Sequence, residues 1–207
     1  MTLHDEKAIK IMINFVEGKM DITSFKQEFD NNSIIKETLK NDPLCPKGTY
    51  YLLGEDKNII RFLEKERWLH AGGQLSIWGE IERFLLRYNY DFVGTKSYKN
   101  KYGFLLDIQP NWLDILDEDF LNYQIISKAP EGLTKTEKTA WCKKRIKELF
   151  QYDKISPRWI QNPEWPIING RPLVFRKQTT NKMGKDKVDF IFYNPDTEEE
   201  HIVTQWY

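Results

Sequence analysis

The 207 residues carry 31 basic and 31 acidic side chains, for no formal net charge, and 40% of them are apolar. Ordinary apolar content with no charge excess argues against a disordered chain. A length near 200 allows one large domain or two small ones. No apolar run approaches the ~18 residues of a membrane span, and the opening Met1–Lys7 has neither a basic start nor an apolar core, so no signal peptide is expected. Cys45 and Cys142 are too few for a disulfide framework and read as free thiols, which fits a cytoplasmic protein. A neutral chain has no global pull toward nucleic acid or anionic lipid.

Along the chain, the first 40 residues read as helices. Ala8, Ile9, Met12, Ile13 and Val16 recur at helical spacing, and Gly18 stands where a C-terminal cap glycine belongs. Asp21 can cap a second helix that carries Phe25 and Phe29 four apart, and a third short helix holds Ile34, Ile35 and Leu39. Pro43 and Pro46 mark a linker, and Gly48 to Leu53 reads as a strand or a short helix. Asn58 to Leu69 reads as helix, broken by Ala71-Gly72-Gly73. Ser76 then caps an amphipathic helix with Ile77, Trp78, Ile81, Phe84, Leu85 and Tyr88 inward and Glu80, Glu82, Arg83 and Arg87 outward. Tyr102 to Leu106 reads as a buried strand, and Gln124-Ile125-Ile126 as helix or strand. Thr134-Lys135-Thr136-Glu137 is a capping box opening a helix to about Phe150. Four prolines between Pro157 and Pro172 make a structured loop, and Asn169-Gly170 suits a tight turn. Leu173–Lys177, Val188–Tyr193 and His201–Tyr207 read as three strands of an antiparallel meander, with a polar, mobile connection over Thr179–Lys187. The expected fold is α+β: helices in the first two-thirds, then an antiparallel sheet. The expected division is a helical arm over 1–45 and an α+β domain over 46–207.

Little of this carries recognisable chemistry. His4, His70 and His201 are far apart, and neither cysteine has a ligand neighbour, so no metal site is expected. No phosphate-cradling glycine motif and no Gly-x-Ser-x-Gly elbow occur, so no cofactor is expected either. Cys142 lies in a basic helix that can lower a thiol pKa, but it also falls on the apolar face with Ile146 and Leu149, which favours a core role. The carboxylates Asp114, Asp117, Glu118 and Asp119 admit three readings: an acid–base or cation site, a solvated helix face, or a docking patch for a basic partner. The helix Lys135 to Lys147 can meet phosphates, although nucleic-acid binding also needs exposed aromatics. Charge is segregated: 14 basic against 6 acidic residues over Glu131–Lys187, 5 acidic and no basic over Val188–Tyr207, and 5 acidic against 1 basic over Leu105–Pro130.

The most specific string runs from Pro157 to Gln178: Pro157-Arg158-Trp159-Ile160-Gln161-Asn162-Pro163-Glu164-Trp165-Pro166, then Gly170-Arg171-Pro172-Leu173-Val174-Phe175 and Gln178. Together with Tyr193-Asn194-Pro195-Asp196-Thr197 and Gln205, it resembles a bacterial pattern found in immunity proteins that accompany secreted polymorphic toxins. Its Trp-Pro and Gly-x-Pro-Leu-x-Phe portion also resembles the YwqG-type family. The resemblance brings no catalytic residue. It implies a non-enzymatic protein whose partner is a cognate toxin, neutralised by occlusion. Partner-binding candidates are Arg158, Trp159, Gln161, Glu164 and Trp165, because Trp and Arg are favoured interface anchors, together with Asp117, Glu118 and Asp119. The competing reading of the motif is structural, with the tryptophans as anchors and Gln161, Glu164 and Gln178 satisfying backbone groups, so that the loop is pinned onto the sheet. An enzyme using Cys142 or the 114–119 carboxylates, and a nucleic-acid module using Lys135–Lys147, are the alternatives.

Overall fold

The computed structural model describes residues 4–40, 42–46, 58–113, 118–180 and 187–207. The chain is α+β, as expected, with most helices in the N-terminal part and an antiparallel sheet at the C-terminus. It divides into two compact units, Met1–Gly103 and Phe104–Tyr207. The expected readings over Gly48–Leu53, at Asp114 and Asp117, and across the connection between the second and third strands from the C-terminus lie largely or wholly outside the described residues.

The first unit is helical. α1 (Glu6–Val16) is capped by Asp5, whose carboxylate accepts from the Lys7 and Ala8 amides. It ends at Gly18, which adopts φ +79°, a left-handed conformation open to glycine at little steric cost. α2 (Ile22–Asn31) is capped by Asp21 through the Ser24 amide at 2.8 Å, and α3 (Ser33–Lys40) follows at once. With α4 (Ile59–Lys65) and α5 (Ala71–Arg87) they enclose one core containing Met12, Phe15, Phe25, Phe29, Leu39, Leu63, Trp78 and Phe84. Phe15 and Phe25 stack at 4.1 Å, and the Trp78 indole N–H donates to the Val16 carbonyl at 3.1 Å, so α1 and α5 are joined by a buried polar bond as well as by packing.

α5 corrects the sequence reading. It starts at Ala71 rather than at a Ser76 cap, so Gly72 and Gly73 lie in its first turn instead of breaking the chain. Gly73 is required by close approach: a Cβ there would collide with the Arg67 carbonyl. Glu80, expected on the outer side, is buried and ion-paired with Arg83. Tyr102–Leu106 is likewise no strand. It belongs to α6 (Ser97–Ile108), where Leu105 and Ile108, three apart, are buried and Leu106 is exposed. A short apolar run without turn signals fits helix and strand equally, and here helical burial spacing decides.

In the second unit α7 (Glu118–Gln124) leads to a single 3-10 turn at Ile126–Lys128, which resolves the helix-or-strand reading there. α8 (Lys135–Leu149) opens with the expected capping box: Thr134 accepts from the Glu137 amide, and Glu137 reaches back to the Thr134 amide at 2.8 Å. A small hairpin, β1 (Ile167–Ile168) and β2 (Arg171–Pro172), turns at Asn169 and Gly170 with φ of 51° and 72°, the left-handed pair of a type I′ turn. β3 (Val174–Thr180), β4 (Lys187–Tyr193) and β5 (Glu200–Trp206) form the expected meander, ordered β3-β4-β5. Burial alternates strictly along β4, so Val188, Phe190 and Phe192 face the core and Lys187, Asp189, Ile191 and Tyr193 face away.

Candidate functional site

Register fixes what each strand contributes to the inner face. Phe190 pairs with Gln178 of β3 on one side and Val203 of β5 on the other, and Val188 pairs with Gln205. Each edge strand therefore turns one glutamine toward the core, flanking the central phenylalanine. The Trp-Pro loop lies across this face. Trp159 packs over Phe190 at 4.3 Å and donates its indole N–H to the Trp112 carbonyl at 2.9 Å. The two glutamines hold the backbone on either side of it. Gln178 Oε1 accepts from the Arg158 amide at 2.8 Å. Gln205 Oε1 accepts from the Ile160 and Gln161 amides at 3.1 and 3.0 Å, while its Nε2 donates to the Asn162 carbonyl at 2.7 Å.

This arrangement solves a definite problem. A proline-rich loop cannot form a ladder, yet its amides lie against a buried sheet face, where an unpaired donor is costly. A side-chain amide carries both a donor and an acceptor, so Gln205 replaces a missing strand neighbour. Gln161 ties the loop a second time, from its own Nε2 to the Trp206 carbonyl at 2.7 Å. Trp165 is 8% exposed, donates to the Leu173 carbonyl at 2.8 Å, and meets Trp112, Phe150 and Phe192 with centroids 5.2–5.5 Å away. The motif thus packs the second unit's core, as its structural reading expects.

The candidate residues separate accordingly. Trp165 is buried and Trp159 half-buried, and both are committed to core contacts. The side chains of Arg158, Gln161 and Glu164 are at exposed positions. Asp119 is exposed, whereas Glu118 is 3% exposed at the start of α7, so the solvated-face reading does not hold for it. Asp114 and Asp117 lie outside the described residues. Among the described residues no group of three or more His, Cys, Asp or Glu is placed to hold a metal ion. Cys142 is fully buried with Ile146, and burial pushes its thiol pKa up against the opposing pull of Lys138. That is the reverse of an activated nucleophile.

The sheet's outer face was not among the sequence candidates. Along β5 the residues opposite in parity to Val203 and Gln205 are Ile202, Thr204 and Trp206, with Ile202 57% and Trp206 56% exposed. They adjoin Ile191 and Lys187 of β4, paired with Ile202 and Trp206 in the register. Charges are interspersed on this face: the Asp189–Thr204 pair separates Ile202 from Trp206, Lys187 bridges Asp189 at 3.2 Å, and Arg176 lies over the Tyr193 ring at 4.3 Å and bridges Glu200 at 3.8 Å. Asp189 also accepts from the Thr204 hydroxyl at 2.7 Å, the chief cause of its lowered carboxyl pKa. Among the described residues β5 has a strand neighbour on one side only. The signal was legible as the period-2 alternation of 187–193 and 200–206, which puts Ile202 and Trp206 on one face and Gln205 on the other.

No protein-family model matches the chain, and no curated protein and no solved structure matches it. Among the described residues no helix is long and apolar enough to cross a membrane.

Proposed function

We propose that this chain is a non-enzymatic protein-binding protein of the bacterial cytoplasm, an immunity protein that neutralises a cognate toxin by covering it. The single observation supporting this reading is the outer sheet face, where an exposed Ile202 lies beside Ile191 near Tyr193 and an exposed Trp206 lies beside Lys187, with charged residues interspersed. Exposed aromatic and apolar side chains among polar ones are the composition of interface anchors. The sheet is a rigid mount for them, since the glutamine-held loop and the tryptophans back it from the inner face. Occlusion needs one complementary surface of about 800 Å² and no catalytic group.

The test is co-expression with the polypeptide encoded beside this chain. The reading predicts rescue of the host from that polypeptide and a complex that survives purification. It predicts loss of both with Trp206→Ala at unchanged fold. Neither rescue nor complex formation with any adjacent-gene product would overturn it.

A further inference from the structure

A second surface of the same unit has a different chemistry. Between α7, the turn after it and α8 lies a cleft of about 340 Å³ lined by Gln124, Lys128, Trp141, Lys144, Arg145 and Glu148. It shares Gln124, Arg145 and Glu148 with a second cleft of about 470 Å³, which continues toward the β1–β2 hairpin and adds Arg171 above an apolar lining of Phe120, Pro172 and Val174. Taken together through these three shared residues, the two clefts are treated as one groove, with four cationic side chains in its walls and Glu148 as the anionic one. Asp196, outside the lining, ion-pairs with Arg171.

We propose that this groove docks an acidic segment of a partner protein, one that alternates carboxylates with apolar side chains. Charge complementarity carries the inference. Arg145 reaches Glu148 at 3.1 Å and Lys144 only at 4.0 Å, while no carboxylate among the described residues lies within ion-pair distance of Lys128. The chain's own carboxylates already sit on Arg145 and Arg171, so the groove displays the chemistry it selects. These pairs are exposed, and exposed ion pairs exchange readily. Trp141, half-buried in the same wall, makes no indole hydrogen bond to a described residue. The apolar floor favours a protein segment over nucleic acid, and Glu148 within the wall opposes a continuous run of phosphates.

The proposal rests on the protein-binding reading and supplies the chemistry of the partner. It is tested without the toxin. A short fluorescein-labelled peptide alternating Glu, Leu and Asp is titrated by anisotropy, with a single-stranded oligonucleotide of equal charge in a parallel arm. The proposal predicts peptide binding that weakens as salt rises. It predicts a loss of at least about tenfold with the pair Lys128→Glu and Lys144→Glu. A control pair of equal charge change, Lys10→Glu and Lys154→Glu, lines neither cleft and should bind as the parent does. No peptide binding, equal loss in the control pair, or tighter binding of the oligonucleotide would overturn it. Peptide binding by a chain that never rescues the host would sink the immunity reading and leave the groove standing.

Discussion

Phe25 in the first unit and Trp165 in the second are both buried aromatics, but the chain around them is organised by different means. The first core comes from helix faces, in which Ala8, Met12, Phe15 and Val16 of α1 meet Ile77, Ile81 and Phe84 of α5. Most of their backbone is satisfied within each helix, side-chain bonds such as that of Trp78 to the Val16 carbonyl falling at helix ends, so packing is left as the main determinant of stability. The second core comes from a sheet and an irregular loop, where the backbone must be satisfied by side chains from elsewhere. Gln178, Gln205 and the indoles of Trp159 and Trp165 do this. A helical core therefore depends mainly on apolar volume, and the loop-covered core depends on volume and on hydrogen bonds aimed at particular atoms.

Several substitutions sharpen that contrast. The largest effects are expected from Trp165→Ala and Phe25→Ala, each about 3–5 kcal/mol by urea unfolding, because each leaves a cavity in its core. Gln205→Leu separates the two units. It keeps most of the volume but strands the Ile160 and Gln161 amides, at about 1–3 kcal/mol. Faster hydrogen exchange at those two amides is the accompanying sign, and unchanged exchange would break the clamp account. Gly73→Ala disturbs the first unit through the Arg67 carbonyl, at about 1–3 kcal/mol, despite the better helix propensity of alanine. Trp206→Ala should alter stability by no more than about 0.5 kcal/mol, since its side chain is mostly exposed.

The smallest effect is common to both units. Asp21 has its carboxyl pKa held below the ordinary 3.8 chiefly by the Ser24 amide, and Glu137 below 4.5 chiefly by the Thr134 hydroxyl. A lowered folded-state pKa contributes stability above the unfolded value and loses it as pH falls through the folded one. Stability should therefore decline below about pH 4.5. Asp21→Asn and Glu137→Gln should each flatten part of that acid limb in unfolding midpoints followed against pH.

Local chemistry was legible in the sequence where one residue type does one job. Asp21, the Thr134–Glu137 box, Gly18 and Asn169-Gly170 act within a few residues, and all appear as read. The meander was legible because β4 alternates. What escaped depends on tertiary context. Gly73 reads as a breaker until the Arg67 carbonyl is seen against it, and Tyr102–Leu106 reads as a strand until Leu105 and Ile108 are seen to share a buried face. The pinning roles of Gln161 and Gln178 were legible, but Glu164, read with them, is exposed, and Gln205, more than 40 residues downstream of the amides it holds, was not read in that role. The outer face needed the strand register to bring Ile202 and Trp206 beside β4.

On the proposed reading the chain uses two kinds of tryptophan differently, Trp159 and Trp165 to hold the sheet and Trp206 to meet a partner. The most direct test measures unfolding midpoint and host rescue together for Trp165→Ala and Trp206→Ala. Trp165→Ala should show a large fall in midpoint, and Trp206→Ala a parental midpoint with rescue lost. Full rescue by Trp206→Ala, or a parental midpoint for Trp165→Ala, would contradict that reading.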